Sequence, residues 1–143
     1  MIRVLDTDHM SFLQYDSEEA KAILLRLRAV PRDDIATTVA TYEEQMRGRM
    51  ARLASTNKPQ GQIVMYTELK QTLQQYCFIP VLDFDTIASA EFERLRKIHP
   101  RLGTMDLKIA AIVLANNATL ITRNNRDFGK IAGLRIEDWT LTP

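Results

Sequence analysis

Several acidic residues of this sequence lie beside short apolar segments, at positions where their carboxylates could meet. Asp6 ends the apolar run at residues 2–5, and Asp127 is expected in the loop that follows the run at residues 119–122. Asp106 lies near the start of the segment that precedes this second run. If the runs are parallel strands, their carboxyl ends share one edge of a sheet, where ligands of such folds bind. We therefore expect the three acids to gather there.

A cluster of carboxylates needs a cation, because mutual repulsion would otherwise raise some of their pKa values and destabilise the fold. Magnesium and manganese prefer oxygen ligands, and they can activate water and neutralise a phosphodiester in the transition state. Zinc suits the sequence less well, since Cys77, His9 and His99 supply few of its preferred ligands. With one or two Mg²⁺ or Mn²⁺ ions, such a cluster can therefore assist phosphodiester hydrolysis.

Short apolar runs alternate with segments of helical periodicity along the chain. Strands are predicted at residues 2–5, 35–39, 78–82, 119–122 and 134–139. Helices are predicted between them, one starting at Ser17 and another capped by Thr104. This alternation predicts an α/β sandwich with a mostly parallel sheet. With no repeat or linker, the 143 residues are expected to form one domain, residues 1–143.

The composition is that of an ordinary globular protein, with 45% hydrophobic and 26% charged residues. The net charge is only +1, so any affinity for nucleic acid must come from local clusters of basic residues. No apolar run approaches the ~20 residues of a membrane span, and Asp6 comes too early for a signal peptide. One cysteine, Cys77, cannot form an internal disulfide. We therefore expect a cytoplasmic protein with no membrane partner.

Four segments, spread in order over nearly the whole chain, resemble the motifs of PIN domains. Residues 5–8 (Leu-Asp-Thr-Asp) look like the opening of that family, and residues 41–48 are similar to its second motif, in which a glutamate stands four residues before a glycine. Residues 103–111 resemble the third motif, an aspartate that leads into Ile-Ala-Ala. Residues 120–128 resemble the fourth, and a Gly-Leu pair and a tryptophan within residues 133–139 resemble the family's ending.

The resemblance implies a fold, an activity and partners. PIN domains of this size are three-layer α/β/α sandwiches with a mostly parallel central sheet. They are commonly VapC-like toxins: Mg²⁺- or Mn²⁺-dependent endoribonucleases, often homodimeric, that a cognate antitoxin inhibits. Carried over to this sequence, the catalytic and metal-binding acids are Asp6, Glu44, Asp106 and Asp127. Thr122 and Asn124 become supporting polar residues that orient the acids or their waters.

Two adjacent glutamates, Glu43 and Glu44, compete for the second acidic position. Spacing to Gly48 favours Glu44, whereas the residue after it, Gln45, departs from the apolar residue that the family often has there. A helical apolar stripe drawn through Val39, Tyr42, Met46, Met50 and Leu53 places Glu43 beside the apolar face and Glu44 nearly opposite. Glu44 is kept as the candidate, with Glu43 as its rival.

Basic residues near the acids are candidates for binding RNA phosphates on either side of the cleaved bond. Arg47 follows Glu44 along the same predicted helix, and Arg123 and Arg126 surround the segment that leads to Asp127. Such contacts supply affinity that does not depend on base sequence. The alternative for these arginines is a solvated surface with ordinary ion pairs.

Two further functions compete with a ribonuclease. Asp6 and Asp8 after a strand resemble the nucleophile motif of haloacid-dehalogenase-like phosphatases, in which one aspartate is phosphorylated and the next acts as an acid and base. The other alternative is a PIN-fold module that binds RNA or protein without cleaving it. Because all four acids of the resemblance are present, a metal-dependent ribonuclease is the function that the sequence favours.

Overall fold

In the computed structural model, which describes residues 1–142, the chain alternates strands and helices. Residues 1–142 form seven α-helices and five β-strands, with a 3₁₀ turn at Arg32–Asp34. The strands are β1 (Arg3–Leu5), β2 (Ile35–Thr38), β3 (Val81–Leu82), β4 (Thr119–Ile121) and β5 (Arg135–Glu137). The helices are α1 (Thr7–Phe12), α2 (Glu18–Arg28), α3 (Val39–Ala54), α4 (Pro59–Phe78), α5 (Thr86–Ile98), α6 (Thr104–Ala115) and α7 (Asn125–Phe128).

Local capping explains where several of these helices begin. Ser17 accepts a hydrogen bond from the backbone N–H of Ala20 at the start of α2, and Thr38 does the same for Thr41 at the start of α3. Pro59 occupies the first turn of α4, where its missing N–H removes no helical hydrogen bond. Thr38 both ends β2 and caps α3, so the chain enters α3 without an intervening loop. This direct connection fixes α3 relative to the sheet edge.

The sheet is entirely parallel and has the strand order β3-β2-β1-β4-β5. The chain builds β1, β2 and β3 outward on one side and then returns to place β4 on the other side of β1. This reversal makes the carboxyl ends of β1 and β4 the topological switch point, where open α/β sheets bind ligands. The segments that follow these two strands begin at Asp6 and Thr122.

Successive residues of a strand point to opposite sides of the sheet. In β1 and β4 both sets are apolar, and helices cover both faces of the sheet. Val4 and Leu120 belong to a core cluster with residues of α5 and α6, such as Leu95 and Ile112. The next residue of each strand, Leu5 or Ile121, belongs to a second cluster with residues of α1 and α2. The predicted three-layer α/β/α architecture is therefore confirmed.

Two details of the predicted elements are wrong. The segment expected as a strand at residues 78–82 is mostly not one: α4 continues to Phe78, and β3 contains only Val81 and Leu82. Thr104 does not cap α6; Gly103 is the cap position, and no side-chain cap bond is made there. None of the helices that the structure describes combines the length and apolarity needed to cross a membrane.

Candidate active site

Asp6 directly follows β1 and is held in place from two directions. It is the N-cap of α1, and its Oδ1 accepts the backbone N–H of His9 at 2.9 Å. The same oxygen lies 3.0 Å from Nδ1 of the His9 ring. The side chain is almost fully buried, and these contacts keep the carboxylate at the switch-point edge of the sheet. Capping and a place in the site are therefore compatible roles for Asp6.

His9 was not anticipated as part of the site. Its ring is fully buried, and its Nε2 lies 3.2 Å from the backbone nitrogen of Trp139. A backbone N–H can only donate, so Nε2 must accept, and the ring hydrogen is on Nδ1. Nδ1–H then donates to Asp6, and His9 connects the C-terminal segment to the site carboxylate. Only the three-residue spacing from Asp6 hinted at this contact.

The structure separates the two adjacent glutamates of α3. Glu44 faces Asp6 and Asp106 across a small pocket, and the hydroxyl of Thr7 donates a hydrogen bond to its Oε1. Glu43 instead forms an ion pair of 2.6 Å with Arg47, one turn further along the helix. Of the two candidates, Glu44 is thus the one that lies with the other acids.

Asp106 lies in the first turn of α6, at a position where its carboxylate is half-buried. Burial raises its pKa, and repulsion from Glu44, Asp127, Asp6 and Asp8 raises it further, to about 6. An ordinary aspartate has a pKa near 4, so four neighbouring carboxylates and partial desolvation make the ionised form of Asp106 unfavourable. The predicted convergence of acids therefore has a measurable electrostatic consequence.

Asp127 belongs to α7 rather than to a loop, and a chain of hydrogen bonds connects it to the end of β4. The buried Thr122 hydroxyl accepts the backbone N–H of Asn124 at 3.0 Å. Asn124 caps α7 through the N–H of Asp127 and also donates from Nδ2 to the Asp127 carboxylate at 3.2 Å. These bonds with Asn124, together with Arg126, lower the pKa of Asp127. Thr122 and Asn124 thus orient Asp127 in the structure.

Asp6, Glu44, Asp106 and their neighbours surround a cavity of about 150 Å³, here called the acidic pocket. Asp8 is a further acid in it, and burial together with the charge of Asp6 raises its pKa. Asp127 lies outside this lining, close enough to raise the pKa of Asp106. The acidic pocket is lined by Asp6, Thr7, Asp8, Glu44, Asp106, Asn124 and Phe128.

The donor set of the acidic pocket suits a hard cation, because it consists of carboxylate, hydroxyl and amide oxygens. Within residues 1–142, however, no three acidic, histidine or cysteine side chains stand close enough together to hold one ion as they are placed. Magnesium commonly binds through one or two carboxylates and keeps several waters. The arrangement therefore fits a hydrated cation held by a few direct ligands better than a closed cage of protein ligands.

The three predicted phosphate-binding arginines are in different environments. Arg123 lies over the ring of Phe12 at 5.4 Å, near enough to Asp8 to offset part of its pKa shift. Arg126 is exposed and forms an ion pair of 3.3 Å with Asp127. Arg47 is also exposed but pairs with Glu43, away from the acidic pocket. Arg123 and Arg126 thus border the site, and Arg47 lies farther along α3.

The model of the PIN domain matches this chain over residues 3–134. The chain belongs to the PIN-domain family. Ribonuclease VapC1 of Haemophilus influenzae is 32% identical to it over 146 aligned positions, which cover 98% of this chain and 99% of the relative. A tRNA(fMet)-specific endonuclease VapC of Salmonella typhimurium is 37% identical over a shorter region, which covers 43% of this chain and 49% of that protein.

Solved structures show that this PIN domain shares its fold with VapBC proteins. VapBC-1 from nontypeable Haemophilus influenzae has a TM-score of 0.79 at 23% identity, covering 99% of this chain and 100% of that one. DNA-bound VapBC from Salmonella typhimurium has a TM-score of 0.71 at 22% identity, covering 97% and 98%. At these identities the structural likeness concerns the fold.

Proposed function

We propose that this PIN domain is an endoribonuclease that hydrolyses RNA phosphodiester bonds with Mg²⁺ or Mn²⁺ held by Asp6, Glu44, Asp106 and Asp127, in part through coordinated waters. The observation that carries the proposal is the acidic pocket at the switch point, where burial and then neighbouring carboxylates raise the pKa of Asp106 to about 6. A bound cation would relieve this repulsion. Relatives that are named ribonuclease and tRNA endonuclease support RNA as the substrate.

The protein's own contribution is to hold oxygen donors at fixed positions around the scissile phosphate. His9 and the first turn of α1 keep Asp6 from rotating, and Thr7 holds one oxygen of Glu44. Asp106 must release its proton for cation binding, so binding should weaken as the pH falls below about 6. A bound Mg²⁺ or Mn²⁺ would supply charge neutralisation and a coordinated water of lowered pKa.

The remaining predicted residues surround this centre. Asp127 adds negative charge beside Asp106, in an orientation set by Asn124 and, through it, by Thr122. We propose that Arg123 and Arg126 bind phosphates of the RNA strand near the acids, and that Arg47 contacts the strand farther away. Nothing in the fold or the comparisons favours a phosphatase that uses Asp6 and Asp8, or a non-catalytic binding module.

We further propose that a cognate antitoxin covers an apolar groove between α2 and α4. The groove has a volume of about 540 Å³ and is lined by Leu24, Leu27 and Phe78 among other apolar side chains. Phe78 is 73% exposed, and exposed apolar patches of this kind mark interaction sites. Proteins of similar fold include a toxin–antitoxin complex from Klebsiella pneumoniae and a member of the VapBC family of toxin–antitoxin systems from Mycobacterium tuberculosis, which supports this occupant.

A homodimer and a cytoplasmic location complete the proposal. Ile63, Val64, Tyr66 and Leu73 of α4 are all more than half exposed, so this helix offers an apolar surface to a second copy. Cytoplasmic RNA is the substrate that a ribonuclease of this kind would meet. Size-exclusion chromatography with light scattering measures the oligomeric state, and a monomer at all concentrations would contradict the homodimer.

The proposed activity is tested by incubating the purified protein with a structured RNA and a single-stranded RNA. Cleavage is expected with Mn²⁺ or Mg²⁺ and is expected to stop in EDTA. Asp6→Asn keeps a side chain that can cap α1 but removes the charge, so it should fold normally and lose cleavage. Full activity in EDTA, or in the folded Asp6→Asn variant, would contradict the proposal.

A further inference from the structure

A second cavity lies directly beside the acidic pocket, between α1 and α3, and is here called the side cavity. Its volume is about 380 Å³, and its lining includes Tyr15, Gly48, Arg49 and Arg52. The side cavity and the acidic pocket share two lining residues, Thr7 and Glu44. An RNA strand that leaves the acidic pocket past Glu44 therefore enters the side cavity first.

Gly48 keeps part of this cavity open. It lies within α3, one turn after Glu44, where glycine is about 1 kcal/mol less favourable than alanine. A Cβ built at Gly48 would meet no atom of the described chain within 4 Å, so packing does not require a glycine here. Gly48 instead lines the side cavity, and the space beside it is part of that cavity. A ligand that approaches the helix backbone would account for the missing side chain.

Two cations line the side cavity, and one of them is exposed. Arg49 and Arg52 both form ion pairs with one carboxylate, that of Glu68 on α4. Glu44 also lines the side cavity, so these four charges balance, and a cation bound at Glu44 would leave the side cavity positive. Arg49 is only 11% exposed and is further held by hydrogen bonds to Gln14 and Thr72, whereas Arg52 is 46% exposed. Arg52 is therefore the cation that an incoming phosphate reaches.

An aromatic surface completes the side cavity. The phenol oxygen of Tyr15 lies 3.5 Å from Nη1 of Arg49, and half of the Tyr15 side chain is exposed. Stacking of a base on such a ring stabilises bound single-stranded nucleic acid by about 1–3 kcal/mol. Arg52 and the exposed Tyr15 ring line the same cavity, which is thus suited to one nucleotide, with its phosphate at Arg52 and its base at Tyr15.

We propose that the side cavity binds the nucleotide of single-stranded RNA that adjoins the scissile phosphate. This inference rests on the proposed function, since it places a substrate residue next to the acidic pocket. The acidic pocket, at about 150 Å³, has room for the reacting phosphate and its ions, and the neighbouring nucleotide lies outside it. Occupancy of the side cavity sets the position of the strand relative to Glu44.

The test fills the side cavity or removes its cation and then measures two affinities. RNA affinity is measured by fluorescence anisotropy of a labelled single-stranded RNA in EDTA, and Mn²⁺ affinity by titration calorimetry without RNA. Gly48→Leu projects a side chain into the cavity; Ala54→Leu is its control, on the same helix but about 120° away around its axis. Arg52→Gln removes the cation; Arg94→Gln is its control, because Arg94 is ion-paired and similarly exposed, at 49% against 46%.

Gly48→Leu and Arg52→Gln are each expected to weaken RNA binding about tenfold, with Mn²⁺ affinity and circular dichroism unchanged. Both controls should bind RNA like the wild type. RNA binding at wild-type strength in the two cavity variants would overturn the subsite, as would an equal loss of Mn²⁺ affinity, which would show an effect through Glu44. If Gly48→Leu fails to fold, Arg52→Gln and Tyr15→Leu decide the question.

Different results would contradict the proposed function and the proposed subsite. A wild-type protein that cleaves no RNA with Mg²⁺ or Mn²⁺ would contradict the proposed function and the subsite together. A wild-type protein that cleaves RNA, beside cavity variants that cleave it with unchanged KM, would overturn the subsite alone. With the subsite in place, the variants should raise KM for RNA more than they lower kcat.

Discussion

Asp106→Asn should make the metal-free protein more stable while removing a cation ligand. The folded chain raises the pKa of Asp106 from 3.8 to about 6, chiefly by burial and then by the charge of Glu44. The folded state therefore binds more protons than the unfolded state between these two values, and ionisation of Asp106 makes folding less favourable as the pH rises through about 6. Asparagine has a similar shape and no charge, so it avoids this penalty.

The size of the effect follows from the shift. A shift of about two pKa units corresponds to at most about 3 kcal/mol, and solvent screening of this half-exposed carboxylate reduces it to roughly 1 kcal/mol. For a chain of this size, an increase of that size in the free energy of unfolding corresponds to a rise in Tm of about 3 °C. The advantage should be full near pH 7.5 and should shrink as the pH approaches 4, where Asp106 is protonated in the folded wild type.

The assay is thermal unfolding in EDTA at pH 7.5 and at pH 4.5, followed by circular dichroism. Asp33→Asn is the control, because Asp33 is exposed in the 3₁₀ turn and its substitution removes the same formal charge far from the acidic pocket. A gain that is equal in both variants, or that does not change with pH, would show that carboxylate repulsion at Asp106 is not its cause. Addition of Mn²⁺ should stabilise the wild type and not Asp106→Asn.

Two further predictions concern the neighbours of Asp6. His9→Leu removes the Nδ1–H that holds Asp6 and should lower Mn²⁺ affinity about 10- to 100-fold, whereas His9→Asn, which can still donate at the Nδ1 position, should restore most of it. Calorimetric Mn²⁺ titration measures both, and equal affinities in the two variants would show that this hydrogen bond does not matter. Asp8→Asn should lower RNA cleavage by less than about tenfold, since Asp8 contributes charge rather than a fixed ligand. Complete loss of activity in Asp8→Asn would instead revive the phosphatase-like role of this residue.

The sequence was sufficient to place acids that are next to strands or helix starts. Asp6 follows β1, and Asp106 lies in the first turn of α6, so local patterning and the parallel topology brought them to one edge. The position of Asp127 was predicted through a motif, but its element was not: Asn124 caps a short helix, where a loop was expected. Such a four-residue helix leaves almost no periodic signal.

Periodicity gave the wrong orientation for α3. The apolar stripe through Val39 and Met50 predicted a buried face, yet both side chains are exposed. The buried residues of α3 are Ala40, Thr41 and Gln45. Gln45 is satisfied because its amide donates to Ser11 and accepts from Tyr76. Apolar periodicity cannot detect a face that is buried through polar contacts. The apolar stripe therefore predicted, wrongly, that Glu44 points away from the other acids.

The position of His9 in the site could not be predicted from local sequence patterns, for another reason. Its ring is oriented by the backbone of Trp139, 130 residues away. No pattern within one element reports such a contact, and a lone histidine near an aspartate has many ordinary explanations. The short β3 illustrates the same limit, since only pairing with β2 at Thr37 and Thr38 defines it as a strand.

In the proposed function, Glu44 acts with Asp6 and Asp106 to bind the cation that RNA cleavage requires. The decisive measurement compares Mn²⁺ affinity and Mn²⁺-dependent RNA cleavage in Glu44→Gln and Glu43→Gln, two adjacent substitutions that remove the same charge. Glu44→Gln should lose at least about 100-fold in both quantities, while Glu43→Gln, which breaks only the ion pair with Arg47, should remain close to the wild type. The reverse result, or equal losses in both variants, would contradict the assignment of the acidic pocket as the metal-dependent active site.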